Sequence, residues 1–421
     1  MDILDQGEPG PTRQNAPLSA RETHERSASD AWTASARGAS GVVLLVYAVL
    51  AAVLISVTPD HRTNPFNGPM VIAGRLLQGE ASLPDGIGWM ETFTFEGRRY
   101  LAYPPMASFL AVPFAALAGD TLGQTVFNSL LIFVNALLVA AVFRAIPRLA
   151  PYATLASVAY VLGTPQLYSA RYGTVWLLMH TEANCFLLLA LWCVLARRAY
   201  GWAGLCFCIS ALTRHAVFAA APAFALLALL DPARTAPEVR VKRIVAFGLG
   251  ALPPLALVLG YQWYVFGDPL MNTYSATWSQ WTQRAPSFGA ENVVRNLWFY
   301  LTALPSTRPD FPYLRFDAGG QSAWVMSPFL IGLLAPALLV WPIAALLSGA
   351  LAMFVFYLFY SWQGYAQFGS RYMQDLYPFL LPVAFSAFAR PVPWLRHLLY
   401  VLVGAAIAIN LFGLYCATQY P

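Results

Sequence analysis

The sequence predicts an all-α membrane protein that crosses the lipid bilayer many times. Of its 421 residues, 58% are hydrophobic and only 11% are charged, and the mean hydropathy is +0.55. A soluble domain carries about 25% charged residues, so this chain lacks the polar surface that water requires. Its apolar residues also form long continuous runs. These observations exclude a soluble globular, collagen-like, disordered or disulfide-stabilised protein for most of the chain.

The first 39 residues differ from the rest of the chain. They are rich in Ser, Ala, Arg, Glu and Asp and show no apolar period, which predicts a disordered cytoplasmic tail. The first apolar run begins near Gly41 without a small-residue cleavage site, so we expect it to stay in the bilayer as a signal anchor. The predicted organisation is a tail over 1–39 and one transmembrane domain over 40–421.

Eleven apolar stretches are candidate spans, several of them too short to cross the bilayer alone. The stretch 202–230 is too long for one upright helix and too short for two full ones. Arg and Lys collect in cytoplasmic loops, and the basic clusters of this chain share one side only if 202–230 forms a hairpin of two short helices. The predicted spans are 41–58, 122–143, 150–165, 179–196, 202–213, 216–230, 244–264, 326–341, 343–360, 376–389 and 398–416.

This topology places two long segments, 59–121 and 265–325, on the outer face, together with the C-terminus. Connections of such length are usually functional or disordered. Within the first segment, 70–78 and 106–117 are predicted to be helices that lie at the membrane interface. Because no internal repeat is visible, the sequence does not favour a transporter built from inverted halves.

The cysteines and the absence of common motifs narrow the chemistry further. All five cysteines lie within or at the ends of apolar runs, with spacings that suit neither a zinc site nor a disulfide framework. We interpret them as small core residues. The sequence contains no glycine-rich phosphate loop, nucleophile elbow, HExxH motif or basic nucleic-acid-binding stripe.

Two carboxylates of the first outer segment are candidate catalytic residues. Asp60 directly follows the first span and is placed to act as a general base toward an acceptor hydroxyl; the alternative is a solvated helix end. Glu91 precedes Arg98, Arg99, Tyr100 and Tyr103. Aromatic faces pack on sugar C–H groups and guanidinium groups bind phosphate, so this stretch suits a sugar or lipid-phosphate site, although a surface loop also contains charges.

Further polar residues interrupt the later apolar runs. His180 and Glu182 begin the fourth span, and Arg214 and His215 form the tip of the short hairpin. His180 alone is more often a satisfied interface residue than a ligand. An arginine embedded in apolar sequence requires a carboxylate or a bound phosphate as its partner.

The last polar cluster precedes the tenth span, where Arg371 and Tyr372 follow Gly369-Ser370. Two interpretations are open. Arg371 forms an i,i+4 ion pair with Asp375, or the helix start and its cation bind an anion.

The order of these features resembles the integral-membrane glycosyltransferases of the GT-C fold, in the protein-mannosyltransferase-like and aminoarabinose-transferase-like branch. The resemblance covers about 41–416, and only the combination of its landmarks is specific. The landmarks are Asp60 followed by the Gly97-Arg98-Arg99-Tyr100 and Tyr103-Pro104-Pro105 segment, Leu212-Thr213-Arg214, Tyr264 to Pro269, and Phe368-Gly369-Ser370-Arg371-Tyr372 with Leu376-Tyr377-Pro378-Phe379.

The resemblance implies inverting transfer of a sugar from a polyprenyl-phosphate donor to a lipid, glycan or protein hydroxyl. The implied location is the outer face of a bacterial plasma membrane. By this resemblance, Asp60 is the first candidate base and Glu91 a close second. Many family members have two adjacent acids after the first span, whereas this chain has Asp60 followed by His61. Further implied roles are lipid-phosphate binding by Arg214 and Arg371, with Arg98 or Arg99, and substrate binding by Tyr100, Tyr103, His180, Glu182, His215 and Tyr372.

The transfer requires no cofactor, and a divalent metal is compatible with it but not indicated by the sequence. One alternative is a ligase or polymerase of lipid-linked oligosaccharides. Another is a transporter or flippase of lipid-linked sugars, in which the same arginines line a translocation path. A transporter places its ionisable groups near mid-membrane, whereas here they gather at one predicted face.

Overall fold

The computed structural model describes residues 41–59, 66–84, 91–119, 123–232, 236–281, 287–316, 318–334, 341–365, 367–390 and 392–419. The predicted tail 1–39 and Asp60 lie outside this part of the chain. The structure is mostly helical, with 74% of the described residues in helices. The α-helices are α1 (Gly41–Val57), α2 (Gly68–Leu77), α3 (Met106–Ala118), α4 (Gln124–Arg144), α5 (Ala153–Leu162), α6 (Gln166–Tyr172), α7 (Val175–Arg197), α8 (Tyr200–Thr213), α9 (Ala221–Leu229), α10 (Pro237–Phe266), α11 (Thr273–Trp281), α12 (Val293–Thr302), α13 (Ala323–Met326), α14 (Ile343–Phe359), α15 (Tyr377–Phe388) and α16 (Pro393–Gln419).

The chain divides into two compact units, Met1–Val49 and Leu50–Pro421. In the first unit, the described residues are 41–49, which form the beginning of α1.

The helices confirm the predicted multi-pass membrane architecture. Among the described residues, α4, α7, α10 and α16 are long and apolar enough to cross a membrane, and shorter apolar helices occupy the other predicted spans. The exception is 326–341, where a 3-10 helix, Pro328–Leu334, precedes residues outside the described part. In α7, 83% of the most apolar window is buried, against 11% in α10. Helix α7 is therefore central, and α10 leaves most of its apolar surface exposed.

The predicted hairpin over 202–230 is present. Helix α8 ends at Thr213, Arg214 adopts an extended backbone, and a 3-10 helix, His215–Ala220, leads into α9. The five cysteines are buried free thiols, as the sequence indicates.

Helices α8 and α10 cross at very short range because glycines line the contact. A Cβ atom built on Gly204 would lie 1.8 Å from the carbonyl oxygen of Phe247, and one on Gly250 would lie 1.9 Å from that of Gly201. Small residues at membrane helix contacts allow the backbones to approach in this way. The close crossing fixes α8, and with it the position of Arg214 at the end of that helix.

We expect Gly250→Ala to lower the thermal unfolding midpoint of the purified protein, because the added methyl group must displace backbone rather than a flexible side chain. Overpacking of this kind costs about 1–3 kcal/mol. Gly248→Ala on the same helix is the matched control, since its Cβ meets nothing within 4 Å. Equal midpoints for the two variants would contradict the close crossing.

An ion cluster lies at the end of α8 opposite to Arg214. Asp231 follows α9 and is buried. Its Oδ2 forms ion pairs with Nε of Arg198 at 2.7 Å and with Nη2 of Arg243 on α10 at 3.1 Å. One buried carboxylate thus joins the ends of three helices, α7, α9 and α10. Arg198 and Arg243 belong to the basic clusters that the sequence predicts on the cytoplasmic side.

The two long segments meet at the Arg214 end of the bundle. Strands β1 (Thr92–Phe95) and β2 (Arg98–Leu101) form an antiparallel hairpin whose turn residues, Glu96 and Gly97, both have positive φ, as the tight turns of two-residue hairpins require. The side chain of Gln280 in α11 makes two hydrogen bonds with the backbone of Thr94. In the second segment, a shorter pair, β3 (Ser306–Thr307) and β4 (Leu314–Arg315), is also antiparallel.

Candidate functional site

A cavity of about 570 Å³ opens where the β1–β2 segment, the Arg214 tip, α11 and the segment after α14 come together. One wall is apolar and consists of Leu212 on α8 and Leu255, Val258 and Leu259 on α10. Another part of the lining is polar and aromatic. It contains Glu91, Tyr103, Trp176, Arg214, His215, Tyr274, Tyr357, Tyr360, Arg371 and Tyr372.

Glu91 stands immediately before β1, partly buried on the cavity wall. The hydroxyl of Tyr103 donates a hydrogen bond to its Oε2. Burial and the neighbouring carboxylate of Glu91 raise the pKa of Tyr103 well above its ordinary value, so Tyr103 remains a protonated donor. The arrangement fixes one oxygen of Glu91 and leaves the other without a hydrogen-bond partner among the described residues.

Arg214 has a carboxylate partner, which the sequence left open between a carboxylate and a phosphate. Its Nε lies 3.2 Å from Oδ2 of Asp375, and its Nη2 donates to the Tyr357 hydroxyl at 3.3 Å. The Tyr357 hydroxyl in turn donates to the same carboxylate oxygen of Asp375. Arg214 therefore lines the cavity as one half of a neutral ion pair.

Asp375 is fully buried, and its other oxygen lies 2.5 Å from Nδ1 of His180. Burial by itself raises the pKa of a carboxyl group, but His180 and Arg214 hold the pKa of Asp375 below its ordinary value. The i,i+4 pair between Arg371 and Asp375 is not formed. Residues 371–376 form a 3-10 helix instead, and its path directs Asp375 toward α7 and Arg214.

Arg371 makes no ion pair with any described residue. Its Nη1 donates to the backbone carbonyl of Tyr365 at 3.1 Å, and its buried Nε has no hydrogen-bond partner in the described part of the chain. The guanidinium carbon lies 5.8 Å from the ring centre of Trp176 and 5.4 Å from that of Tyr372. Arg371 is thus a cation at the cavity whose charge no carboxylate of the described residues neutralises.

Two backbone N–H groups at the start of this 3-10 helix, those of Gly369 and Arg371, are already bonded. Gly369 donates to Oε1 of Gln321 at 3.1 Å, and Arg371 donates to Oε1 of Gln367 at 3.0 Å. These two donors are therefore already occupied, and the contribution of this helix start to the cavity lining is the side chains of Arg371 and Tyr372.

Six of the predicted site residues that the structure describes line one cavity. They are Glu91, Tyr103, Arg214, His215, Arg371 and Tyr372. Arg98 is exposed on β2, and Arg99 donates to the Thr92 hydroxyl within the same hairpin. Neither arginine lines the cavity. Tyr100 is buried against Phe266 and borders a smaller neighbouring pocket. None of these three side chains lines the cavity.

His180 and Glu182 are also placed away from the cavity. Helix α7 begins at Val175, earlier than predicted, so both residues lie within the helix and both are buried, with at most 1% exposed. His180 holds Asp375, while the two carboxylate oxygens of Glu182 have no hydrogen-bond partner among the described residues. Neither side chain lines the cavity.

The described residues contain no group of three or more His, Cys, Asp or Glu side chains that could hold a metal ion. Asp60 and His61 lie outside that part of the chain.

Four residues of this site were not predicted from the sequence. Tyr357, Tyr274 and Trp176 line the cavity, and Asp375 pairs with Arg214. One available signal was that Arg214 and Asp375 are opposite charges, each at the same predicted end of a span. Tyr357 and Tyr360 also give the end of an apolar helix an unusual polar edge.

No protein-family model and no curated protein matches the sequence. Among solved structures, the chain is similar to an Archaeoglobus fulgidus oligosaccharyltransferase tethered to an acceptor peptide with the NVT sequon. The TM-score is 0.52 at 15% identity, over 90% of this chain and 55% of that one. Two further structures of the oligosaccharyltransferase from that organism, one with Zn and sulfate and one with an inhibitory peptide and a dolichol-phosphate, give TM-scores of 0.48 and 0.47 at 13% identity. They match 89% and 90% of this chain over 53% and 56% of their own.

The chain thus spans about half the length of the solved proteins that it resembles. At this level of identity the likeness concerns the fold, and it confirms the GT-C-like, all-α membrane architecture expected from the sequence.

Proposed function

We propose that this protein is a membrane glycosyltransferase that transfers one sugar from a polyprenyl-phosphate donor to an acceptor hydroxyl with inversion at the anomeric carbon. The observation that carries this proposal is the composition of the cavity. It combines the carboxylate of Glu91, the unneutralised guanidinium of Arg371 and an apolar wall on the lipid-exposed helix α10. These are complementary to a hydroxyl, a phosphate and a prenyl chain, respectively.

In the proposed reaction, a carboxylate removes the proton of the acceptor hydroxyl as its oxygen attacks the anomeric carbon. The bond between that carbon and the phosphate oxygen breaks, and polyprenyl phosphate leaves on the opposite side of the sugar. Asp60 is the first candidate for the base on the family resemblance. Glu91 is the second, and its place on the cavity wall beside Tyr103 supports it.

Negative charge grows on the departing phosphate in the transition state, and guanidinium groups placed there in advance stabilise it. Arg371 is the principal candidate because no described carboxylate competes for it. Arg214, at the same cavity, is the second. The same chemistry requires no cofactor in principle, since a phosphate ester is a good leaving group once its charge is neutralised.

The size of the cavity favours a single sugar over a long glycan. Small-molecule sites have volumes of about 300–1,000 Å³, and the cavity of about 570 Å³ falls within that range. This favours monosaccharide transfer over a ligase or polymerase of lipid-linked oligosaccharides. The grouping of charged side chains at one end of the bundle likewise favours an enzyme over a flippase. The opposite end carries the basic cluster around Asp231, which supports an outward-facing site in a bacterial plasma membrane.

The test is to incubate the purified protein in lipid nanodiscs with radiolabelled polyprenyl-phosphate sugars, with and without a membrane lipid extract as acceptor. We expect transfer of label to a new product, or slow hydrolysis of the donor when the acceptor is omitted. Mass spectrometry of co-purifying lipid guides the choice of sugar. Translocation of an intact donor in proteoliposomes, without any product, would instead support the flippase.

A further inference from the structure

The two arginines of the cavity are in different electrostatic states. Arg214 shares its charge with a fully buried carboxylate, whereas Arg371 forms no ion pair with any described residue. Their guanidinium carbons lie 5.5 Å and 5.4 Å from the ring centre of the same residue, Tyr372. Two adjacent arginines with unequal net charge are expected to have unequal roles.

We infer that Asp375 is a positioning residue that, together with Tyr357, orients Arg214 as a directional hydrogen-bond donor toward the leaving phosphate, while Arg371 supplies the binding charge. This inference rests on the proposed glycosyl transfer and deepens it by dividing the work between the two guanidinium groups.

The geometry supports this division. Asp375 engages Nε of Arg214 at 3.2 Å and Tyr357 engages Nη2 at 3.3 Å, so Nη1 is the nitrogen that makes no hydrogen bond within the described residues. Asp375 is itself fixed from the far side by His180 at 2.5 Å. A guanidinium held at two of its three nitrogens has little freedom to rotate, and the third nitrogen therefore points in a constant direction from the cavity wall.

The electrostatics predict which kinetic constant responds. Asp375 neutralises Arg214, so its removal leaves a more positive cavity that binds the donor phosphate at least as well in the ground state. What is lost is stabilisation of the transition state, because only a donor that is correctly oriented toward the leaving phosphate stabilises the charge that develops there. A substitution at Asp375 is thus expected to lower kcat without raising the donor KM.

The experiment measures kcat and the donor KM for Asp375→Asn and Tyr357→Phe, each alone and combined with Arg214→Ala. We expect kcat to fall by about 10–100-fold in Asp375→Asn, with donor KM within about threefold of wild type and a smaller fall in Tyr357→Phe. In the Arg214→Ala background neither substitution is expected to lower kcat further, because residues that act through one group are not additive.

Thermal unfolding in the same nanodiscs shows whether a variant has lost its fold. If Asp375→Asn is unstable, Tyr357→Phe tests the positioning role instead, because it keeps the ion pair between Arg214 and Asp375. Additive losses with Arg214→Ala, or a rise in donor KM at unchanged kcat, would overturn the positioning role. Failure of the wild-type protein to transfer or hydrolyse any polyprenyl-phosphate sugar would instead overturn the proposed function, so the two failures are distinguishable.

Discussion

Replacement of the general base by its amide is expected to reduce sugar transfer by a factor of about 10²–10⁴. The variants are Asp60→Asn and Glu91→Gln. An amide of nearly the same shape cannot accept the proton of the acceptor hydroxyl, whereas contacts with the donor are retained. The measurement is the rate of product formation at saturating donor, together with the affinity for polyprenyl phosphate.

Whichever carboxylate is the base should lose turnover while its affinity for polyprenyl phosphate stays within about threefold of wild type, the change that small rearrangements produce. Glu96→Gln is the matched control, because Glu96 is an exposed acid at the turn of the same hairpin as Glu91. If Asp60→Asn is fully active and Glu91→Gln is not, the base is Glu91. Full activity of both variants would remove carboxylate base catalysis from the proposal.

Loss of the Arg371 guanidinium is expected to weaken donor binding by about 10–150-fold, the worth of a hydrogen bond to a charged group. The variant is Arg371→Ala, and the affinity is measured by titrating polyprenyl phosphate into the protein in nanodiscs. Because Arg371 is not neutralised by any described carboxylate, its removal subtracts a full positive charge from the cavity. Arg371→Lys should restore part of the affinity, since it keeps the charge but loses the planar fork.

Two other arginines make this measurement specific. Arg148→Ala removes an exposed arginine between α4 and α5 that does not line the cavity, and we expect no change in affinity. Arg98→Ala tests the hairpin alternative suggested by the sequence. A loss with Arg98→Ala as large as that with Arg371→Ala would relocate the phosphate site to the hairpin.

Much of the architecture was predictable because it depends on local composition. A span of apolar residues in a bilayer must satisfy its backbone hydrogen bonds internally, so it forms a helix wherever it occurs. This is why most of the predicted spans coincide with helices, and why the positions of Arg and Lys were enough to predict that 202–230 turns back at Arg214. The boundaries were less accurate. Helix α7 begins at Val175 rather than at 179, which places His180 inside the bundle.

The hairpin of β1 and β2 was not predicted. Its strands have four residues each and lie among charged and aromatic side chains, so the segment was interpreted as a binding loop. The alternation of Thr92 to Phe95 and the Glu96-Gly97 turn were the signals that could have found it. The consequence for the site was direct, because Arg98, Arg99 and Tyr100 belong to this hairpin and do not line the cavity.

Composition and the order of polar residues were enough to predict an all-α membrane protein whose unusual polar residues gather at one end of its helices. Which of those residues contact one another could be learned only from the packing of the helices. Arg214 and Asp375 are 161 positions apart in the chain, and their pairing leaves Arg371 without a carboxylate partner among the residues that the structure describes. The physical reason is that a helix is selected by the solvent around its own residues, whereas a buried charge selects its partner from whatever the packing of distant helices brings within reach.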